Sequence, residues 1–272
     1  MNYIGIDLGN SITKMIEIDE HQNIINKLIT ENTSVINAFS MFINKYNIGK
    51  KTISKVVLTG IRASKAPENI LGIPVVKIDE FIAIGKGGTY LANRKNAITI
   101  SVGTGTAFIK CENGIYTHIG GTGIGGGTLF NLSKKISNLK SFEEIVEAIK
   151  KGNLKNIDLT IQDATTEKIK TLPPDTTSSN FGKLNDKATP EDLTLGILNL
   201  IFETIGMMAA FAVRNEEIKD VIIVGLIATI PYTKNILEKV EKIQNVKFII
   251  PENAEYATVI GAVKEEIDKQ KQ

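Results

Sequence analysis

The chain has 272 residues, 42% of them hydrophobic and 23% charged, with a formal net charge of +2. That composition is ordinary for a soluble protein, long enough for a full core and two compact lobes, and it offers no basic run or basic–aromatic interleaving that would suit nucleic acid. The single cysteine, Cys111, excludes a disulfide framework or a cysteine-rich zinc or iron–sulfur site within one subunit, and two histidines, His21 and His118, make a histidine-based zinc site equally poor.

The first element is a buried strand over Ile4–Ile6 that ends on the carboxylate of Asp7. Gly9 permits a tight turn, Asn10 and Ser11 offer short polar groups, and Ile12–Ile18 alternates as the returning strand of a hairpin. A bare turn explains Gly9 and Asn10. The functional alternative is a backbone cradle for an anion, with Asp7 as a magnesium or water anchor and Lys14 as a cation. Because the N-terminus has no charged and apolar leader, a cytoplasmic location is expected.

A third strand over Ile24–Thr30 and a helix over Ser34–Tyr46 come next, then a strand ending at Gly60, a short helix over Lys65–Ile70 and a brief strand at Pro74–Val76. Asp79–Asn93 reads as a helix that Gly85, Gly87 and Gly88 weaken, so those glycines serve close packing or a bend. A second start follows at Ala97. It has a strand to Val102, a turn at Gly103-Thr104-Gly105-Thr106, a return over Ala107–Cys111 and a tight hairpin into Ile115–Ile119. Strand, glycine turn, strand, strand therefore occurs twice. Two such units facing each other would bring both glycine turns to one cleft.

Gly120–Gly127 holds six glycines in eight positions. It contains GxGxxG at Gly121, Gly123 and Gly126, but no strand with a terminal acid follows, as a dinucleotide fingerprint requires, and the P-loop Lys-Ser or Lys-Thr is absent. Glycines at this density cost folding entropy unless backbone must approach something closely, and phosphate over a helix N-terminus is the usual reason. Ser141–Glu144 opens a helix with a capping box. The stretch 158–187 is a long polar loop with short elements. Leu195–Val213 is mostly apolar with one charge, Glu203, but Thr189-Pro190-Glu191-Asp192 caps it and polarity resumes at Arg214. It reads as a helix buried between layers or against another subunit, not as a membrane span. Strand Val221–Gly225, a helix, a strand and a final helix from about Ala254 complete the chain.

IGIDLGNSITK, SVGTGTAFI and HIGGTGIGGGTLFNLS resemble the type II pantothenate kinases of the actin, Hsp70 and sugar-kinase superfamily, and SSNFGKL and PENAEYATVIGAV extend the likeness along nearly the whole chain. The resemblance implies an α/β, two-lobed actin-like ATPase (ribonuclease H-like) fold with duplicated mixed β-sheet units. Its N-terminal lobe would span 1–95 and its C-terminal lobe 96–272, with a helical and loop insertion at 129–215. It implies transfer of phosphate from MgATP to the primary hydroxyl of pantothenate, a homodimer, no membrane, and coenzyme A or an acyl-CoA as candidate feedback ligand.

The sites it implies are Glu80 as general base, with the adjacent Asp79 as the rival base and a plain helix start as the bland reading of both; Asp7 for Mg2+; and Glu80, Thr104 and His118 at the acceptor. ATP would lie on Gly9, Asn10, Ser11, Lys14, Gly103, Thr104, Gly105, Thr106, Gly121, Thr122, Gly123, Gly125, Gly126, Gly127 and Gly225. His118 stands where the family has an arginine, and Val224–Ala228 replaces a more glycine- and serine-rich turn. A kinase of this fold with another small-alcohol acceptor is one alternative. Another is a non-catalytic nucleotide-binding activator or regulator, although the superfamily's dehydratase activators need cysteines to bridge subunits through an iron–sulfur cluster.

Overall fold

The computed structural model describes residues 1–165, 169 and 172–271. The first half contains β1 (Asn2–Leu8), β2 (Ile12–Ile18), β3 (Ile24–Glu31), α1 (Val35–Lys45), β4 (Ile53–Thr59), β5 (Asn69–Ile70), β6 (Ile73–Lys77) and α2 (Glu80–Leu91). The second contains β7 (Ala97–Val102), β8 (Thr106–Glu112), β9 (Ile115–Thr122), α3 (Gly126–Ile136), α4 (Phe142–Lys151), β10 (Leu159–Thr160), α5 (Ile161–Ala164) and β11 (Thr177–Ser179). It continues through α6 (Pro190–Ala212), β12 (Asp220–Val224), α7 (Pro231–Ile243), β13 (Lys247–Ile249) and α8 (Ala257–Gln270).

Two mixed sheets repeat one plan. The first runs β3-β2-β1-β4-β6-β5 and the second β13-β12-β7-β8-β9. In each, a leading strand (β1 or β7) returns antiparallel through two hairpins on one side and pairs parallel with a later strand (β4 or β12) on the other. The duplication legible in the sequence is therefore real, with β7-β8-β9 repeating β1-β2-β3. Both leading strands end at one of the glycine turns.

Between the sheets lie α2 and α8. Helix α8 rests on β1, β2 and β4, so the last helix packs on the N-terminal sheet, while α2 rests on β7, β8 and β9. The two helices cross tightly because Gly87 and Gly261 leave no side chain there: a Cβ on Gly87 would meet the Ala257 carbonyl, and one on Gly261 the Ala83 carbonyl. Gly85 admits the Tyr116 ring and Gly88 admits Thr99. The α2 glycines thus serve close packing, and the helix runs unbroken.

The outer face of the second sheet is covered by α6 and α7. Ile98, Ile100, Val102 and Phe108 pack with Leu198, Ile201, Phe202 and Ile205 of α6 and with Ile236 and Val240 of α7. Helix α6 is long and apolar enough by composition to cross a membrane, yet 61% of its most apolar window is buried inside the fold. Its N-terminus is the expected cap, with Thr189 accepting from Asp192 N and proline at the first helical position. Its apolar surface packs against α3, α4, α7 and the second sheet.

Two sequence expectations are corrected. The short helix expected over Lys65–Ile70 is a single 3-10 turn at Ala63–Lys65 followed by β5, which pairs with β6. Pro67 holds Ala66 extended (φ −73°, ψ 148°), and Leu71 and Gly72 take positive φ to make a tight reversal. The final helix starts at Ala257, after a 3-10 turn at Ala254–Tyr256. The glycine run ends as the first turn of α3. The polar stretch 158–187 carries β10, α5 and β11, while residues 166–168, 170 and 171 of it lie outside the described part.

Candidate active site

Strand β1 delivers Asp7 next to Lys14 of β2 and Thr59 of β4, three residues in register across adjacent strands and therefore on one face. All three are buried. Lys14 Nζ lies 3.8 Å from Asp7 Oδ2, a close charge pair too long for a strong hydrogen bond. Burial pushes the Asp7 carboxyl above its usual range, against the pull of Lys14. The Thr59 hydroxyl has no hydrogen-bond partner. Gly60 follows at φ +93°, and a Cβ there would lie 2.6 Å from Asp7 Oδ1, so glycine is required behind the carboxylate.

Helix α2 brings its N-terminus to the same place. Asp79 is its N-cap: Oδ1 accepts from Phe81 N at 2.9 Å and from Ile82 N at 3.1 Å. Glu80, the next residue, is not used as a cap and stays half-buried. Burial raises its carboxyl above the ordinary range, the charges of Asp7 and Asp79 raise it further, and Lys14 opposes them. The two neighbouring acids therefore have different tasks. Phe81 lies flat against His118 of β9, with ring centroids 4.2 Å apart and planes 6° from parallel. That stack joins the second sheet to the first turn of α2 and brings His118 beside the Glu80 segment.

Both glycine turns share a construction that the sequence did not reveal. In a trans peptide the carbonyl and the following amide point in opposite directions. In the first turn, Asn32 Nδ2 donates to the Asn10 carbonyl at 2.6 Å, Asn32 N donates to the Ser11 carbonyl at 3.2 Å, and Arg62 Nη1 reaches the Gly9 carbonyl at 3.4 Å. In the second, the Gly103 carbonyl accepts from Gly126 N at 2.7 Å and the Thr104 carbonyl from Gly127 N at 2.9 Å. The amides of Asn10, Ser11, Thr104 and Gly105 find no acceptor among the described residues. The turns meet where Ser11 Oγ and Thr104 Oγ1 lie 3.0 Å apart. Two sets of unengaged amides flank one junction, a grouping of donors suited to an anion.

Within Gly120–Gly127, the start of α3 donates into the second turn. The Gly126 and Gly127 amides are already spent on the second turn. A Cβ on Gly126 would lie 2.9 Å from the Gly103 carbonyl oxygen, one on Gly125 2.8 Å from that of Thr104, and one on Gly121 2.5 Å from that of Thr106. These glycines are needed because backbone approaches backbone. Gly120 and Gly123 face open space, as a Cβ on either would meet nothing within 4 Å, and they are the members of the run with room alongside.

Thr106 and Thr122 brace the run: Thr106 Oγ1 donates to the Ile124 carbonyl at 2.7 Å, and Thr122 Oγ1 accepts from Ile124 N at 3.3 Å. Gly225, at φ +113°, donates to the Ala254 carbonyl at 3.0 Å and abuts the end of β7 at Val102, bringing the 225–229 turn beside Gly126. Arg62, Asn32, Thr59 and Phe81 also stand at this candidate site, and sequence reasoning did not single them out for it.

No group of three or more His, Cys, Asp or Glu gathers as a metal cage among the described residues. The fit to magnesium is of another kind. Asp7 is a buried carboxylate with an incomplete counter-charge, next to an orphaned hydroxyl on Thr59. Magnesium commonly takes one or two carboxylates, with substrate phosphates and water completing its shell.

A family model named Fumble matches residues 96–262, more than half of the chain. A type II pantothenate kinase from Bacillus cereus is 27% identical over 272 residues, covering 96% of each chain. Another from Oceanobacillus iheyensis is 28% identical over 234 residues, 83% of this chain and 84% of its own. Among solved structures, the activator of 2-hydroxyisocaproyl-CoA dehydratase from Clostridium difficile with bound ADPNP aligns at a TM-score of 0.72 and 17% identity, covering 100% of this chain and 96% of its own. A ROK family glucokinase from Streptomyces griseus with glucose and AMPPNP aligns at 0.62 and 12% identity, covering 97% of this chain and 99% of its own. The fold is that of the actin-like ATPases and sugar kinases, and the chain belongs to the Fumble family, that of the type II pantothenate kinases.

Proposed function

We propose that the protein is an ATP-dependent kinase that phosphorylates the primary hydroxyl of pantothenate to 4′-phosphopantothenate. The observation that carries this reading is the pair of facing turns with unengaged amides, set beside the Asp7–Lys14 pair and the unoccupied base Glu80. The triphosphate would lie against the amides of residues 9–11 and 104–105 and over Gly123, with the nucleoside toward Gly225. Asp7, alongside Thr59, would hold magnesium, which neutralises charge on the transferring phosphoryl group when bound.

In this reading the acceptor oxygen forms a bond to the γ-phosphorus, the bond from γ-phosphorus to the bridging oxygen breaks, and the hydroxyl proton passes to Glu80. The raised carboxyl of Glu80 suits a proton acceptor working near neutral pH. His118, held flat by Phe81, would hydrogen-bond the acceptor without the fixed two-pronged charge of an arginine. The panel that tests the reading measures ATP consumption with pantothenate, pantetheine, N-acetylglucosamine and no acceptor. Turnover restricted to pantothenate supports it, and turnover on the sugar alone overturns it.

The dehydratase-activator alternative is disfavoured by Cys111. It lies in β8 with no exposed surface, its thiol is pushed up by burial, and it cannot reach a partner subunit. We further infer a homodimer and feedback by coenzyme A or an acyl-CoA. Inhibition of turnover by added coenzyme A would bear on the second.

A further inference from the structure

In the second turn the carbonyls are held by backbone amides of α3; in the first, no helix is available. We propose that Asn32 and Arg62 act together as a side-chain clamp that aims the amides of the first turn at the polyphosphate, which makes them positioning residues for the nucleotide. The inference rests on reading the two turns as a phosphate cradle.

Asn32 follows directly after β3, and Arg62 lies just past the glycine behind Asp7. Their side chains meet through a close hydrogen bond from Arg62 Nη1 to Asn32 Oδ1. Arg62 Nη2 also donates to the Thr33 carbonyl at 3.1 Å, and the Arg62 backbone amide to the Leu8 carbonyl at 3.3 Å. The guanidinium thus orients the Asn32 amide, whose Nδ2 donates to the Asn10 carbonyl. Together they engage the carbonyls of Gly9, Asn10 and Ser11 from one side. Since each carbonyl opposes the next amide, the amides of Asn10 and Ser11 are turned the other way, toward the Ser11–Thr104 junction. A mere hairpin brace would need no such complete set, because Gly9–Ser11 is a short surface turn that the β1–β2 ladder already closes.

The clamp acts on phosphate and not on the nucleoside, and that separates it from a general structural role. The test uses the full chain and measures binding of MgATP, ADP and adenosine by calorimetry, together with the melting temperature. The variants are Asn32→Asp, which keeps the shape and the Arg62 contact but loses the donor to Asn10; Asn32→Ala; and Arg62→Lys, which keeps the charge but loses the fork. MgATP and ADP are expected to bind about five- to tenfold more weakly in Asn32→Asp, the scale of one oriented hydrogen bond, with adenosine unchanged. The KM for MgATP rises while that for the acceptor stays put. Combining Asn32→Ala with Arg62→Lys costs less than the product of the single losses, because both act through one clamp.

Equal weakening of adenosine and ATP overturns the clamp, as does unaltered ATP binding in a correctly melting Asn32→Asp variant. Wild-type protein that binds neither ATP nor ADP refutes the cradle reading itself, a result distinct from either.

Discussion

Two acids stand side by side at the start of α2, and exchanging them one at a time separates a base from a cap. Asp79→Asn keeps an N-cap acceptor and should leave both stability and turnover near wild type. Asp79→Ala removes two hydrogen bonds to Phe81 and Ile82 and should cost about 1 kcal/mol, or about 2–4 °C in Tm for a protein of this size. Glu80→Gln keeps the volume and removes the proton acceptor, so kcat should fall about 10²–10⁴-fold with little change in MgATP affinity. Its stability should not fall. Burial, then the charges of Asp7 and Asp79, hold the Glu80 carboxyl above its usual range. The folded chain therefore binds that proton more readily than the unfolded chain, and stability is lost as pH rises through the folded value. Glutamine has no such loss. The same displacement moves the acid limb of the kcat profile above the ordinary carboxylate range, and Glu80→Gln should flatten that limb. A coupled ATPase assay with saturating acceptor, run beside thermal melts, reads all of this. Full turnover in Glu80→Gln together with inactive Asp79→Asn would refute the assignment.

Asp7→Asn should lower kcat strongly while the fold stays intact, since it removes a buried carboxylate whose own burial is unfavourable; unchanged turnover by steady-state assay would exclude Asp7 from charge control. Gly126→Ala places a methyl 2.9 Å from the Gly103 carbonyl, so the second turn must shift at a cost of about 1–3 kcal/mol, and the KM for MgATP should rise with the acceptor KM unaffected. His118→Arg should lower the KM for pantothenate in initial-rate assays if the pocket is otherwise that of the family; abolished activity would mean a pocket reshaped around the Phe81 stack. Light scattering should give about twice the mass of one chain, and a value near 29.7 kDa at micromolar concentration counts against the homodimer.

What was legible in the sequence was local. Asp7 at the end of a strand, Ser141 and Thr189 as helix caps, and the repeated strand–turn–strand unit all follow from spacing and side-chain chemistry within a few residues, and each is found in the structure. What was not legible depended on which distant backbone comes near. The run at Gly120–Gly127 signalled close approach, but only the fold shows that the approaching group is the 103–106 turn. Asp79 and Glu80 are equivalent as letters, both favourable at a helix start, and separate only when the Phe81 and Ile82 amides are seen to take Asp79. Asn32 and Arg62 belong to no motif, and their partnership exists only because β1 lies between β2 and β4. The false helix at Lys65–Ile70 had a visible warning in Pro67, which outweighed the helical propensity of its neighbours.

The repeat has diverged where the two halves must do different work. Each half ends its leading strand in a turn whose carbonyls are restrained and whose amides are free. The second half restrains them with α3, a helix packed on α6, so that turn is tied to the insertion. The first restrains them with Asn32 and with the segment after β4, where Gly60 also sits against Asp7. Displacing residues 60–62 would therefore disturb both the first turn and the Asp7 carboxylate, whereas displacing α3 would disturb the second turn alone. In the proposed cradle, nucleotide geometry and charge control would be coupled on the N-terminal side of the junction and separable on the other. Substitutions around Arg62 should accordingly affect phosphate binding and kcat together, and those along α3 phosphate binding first.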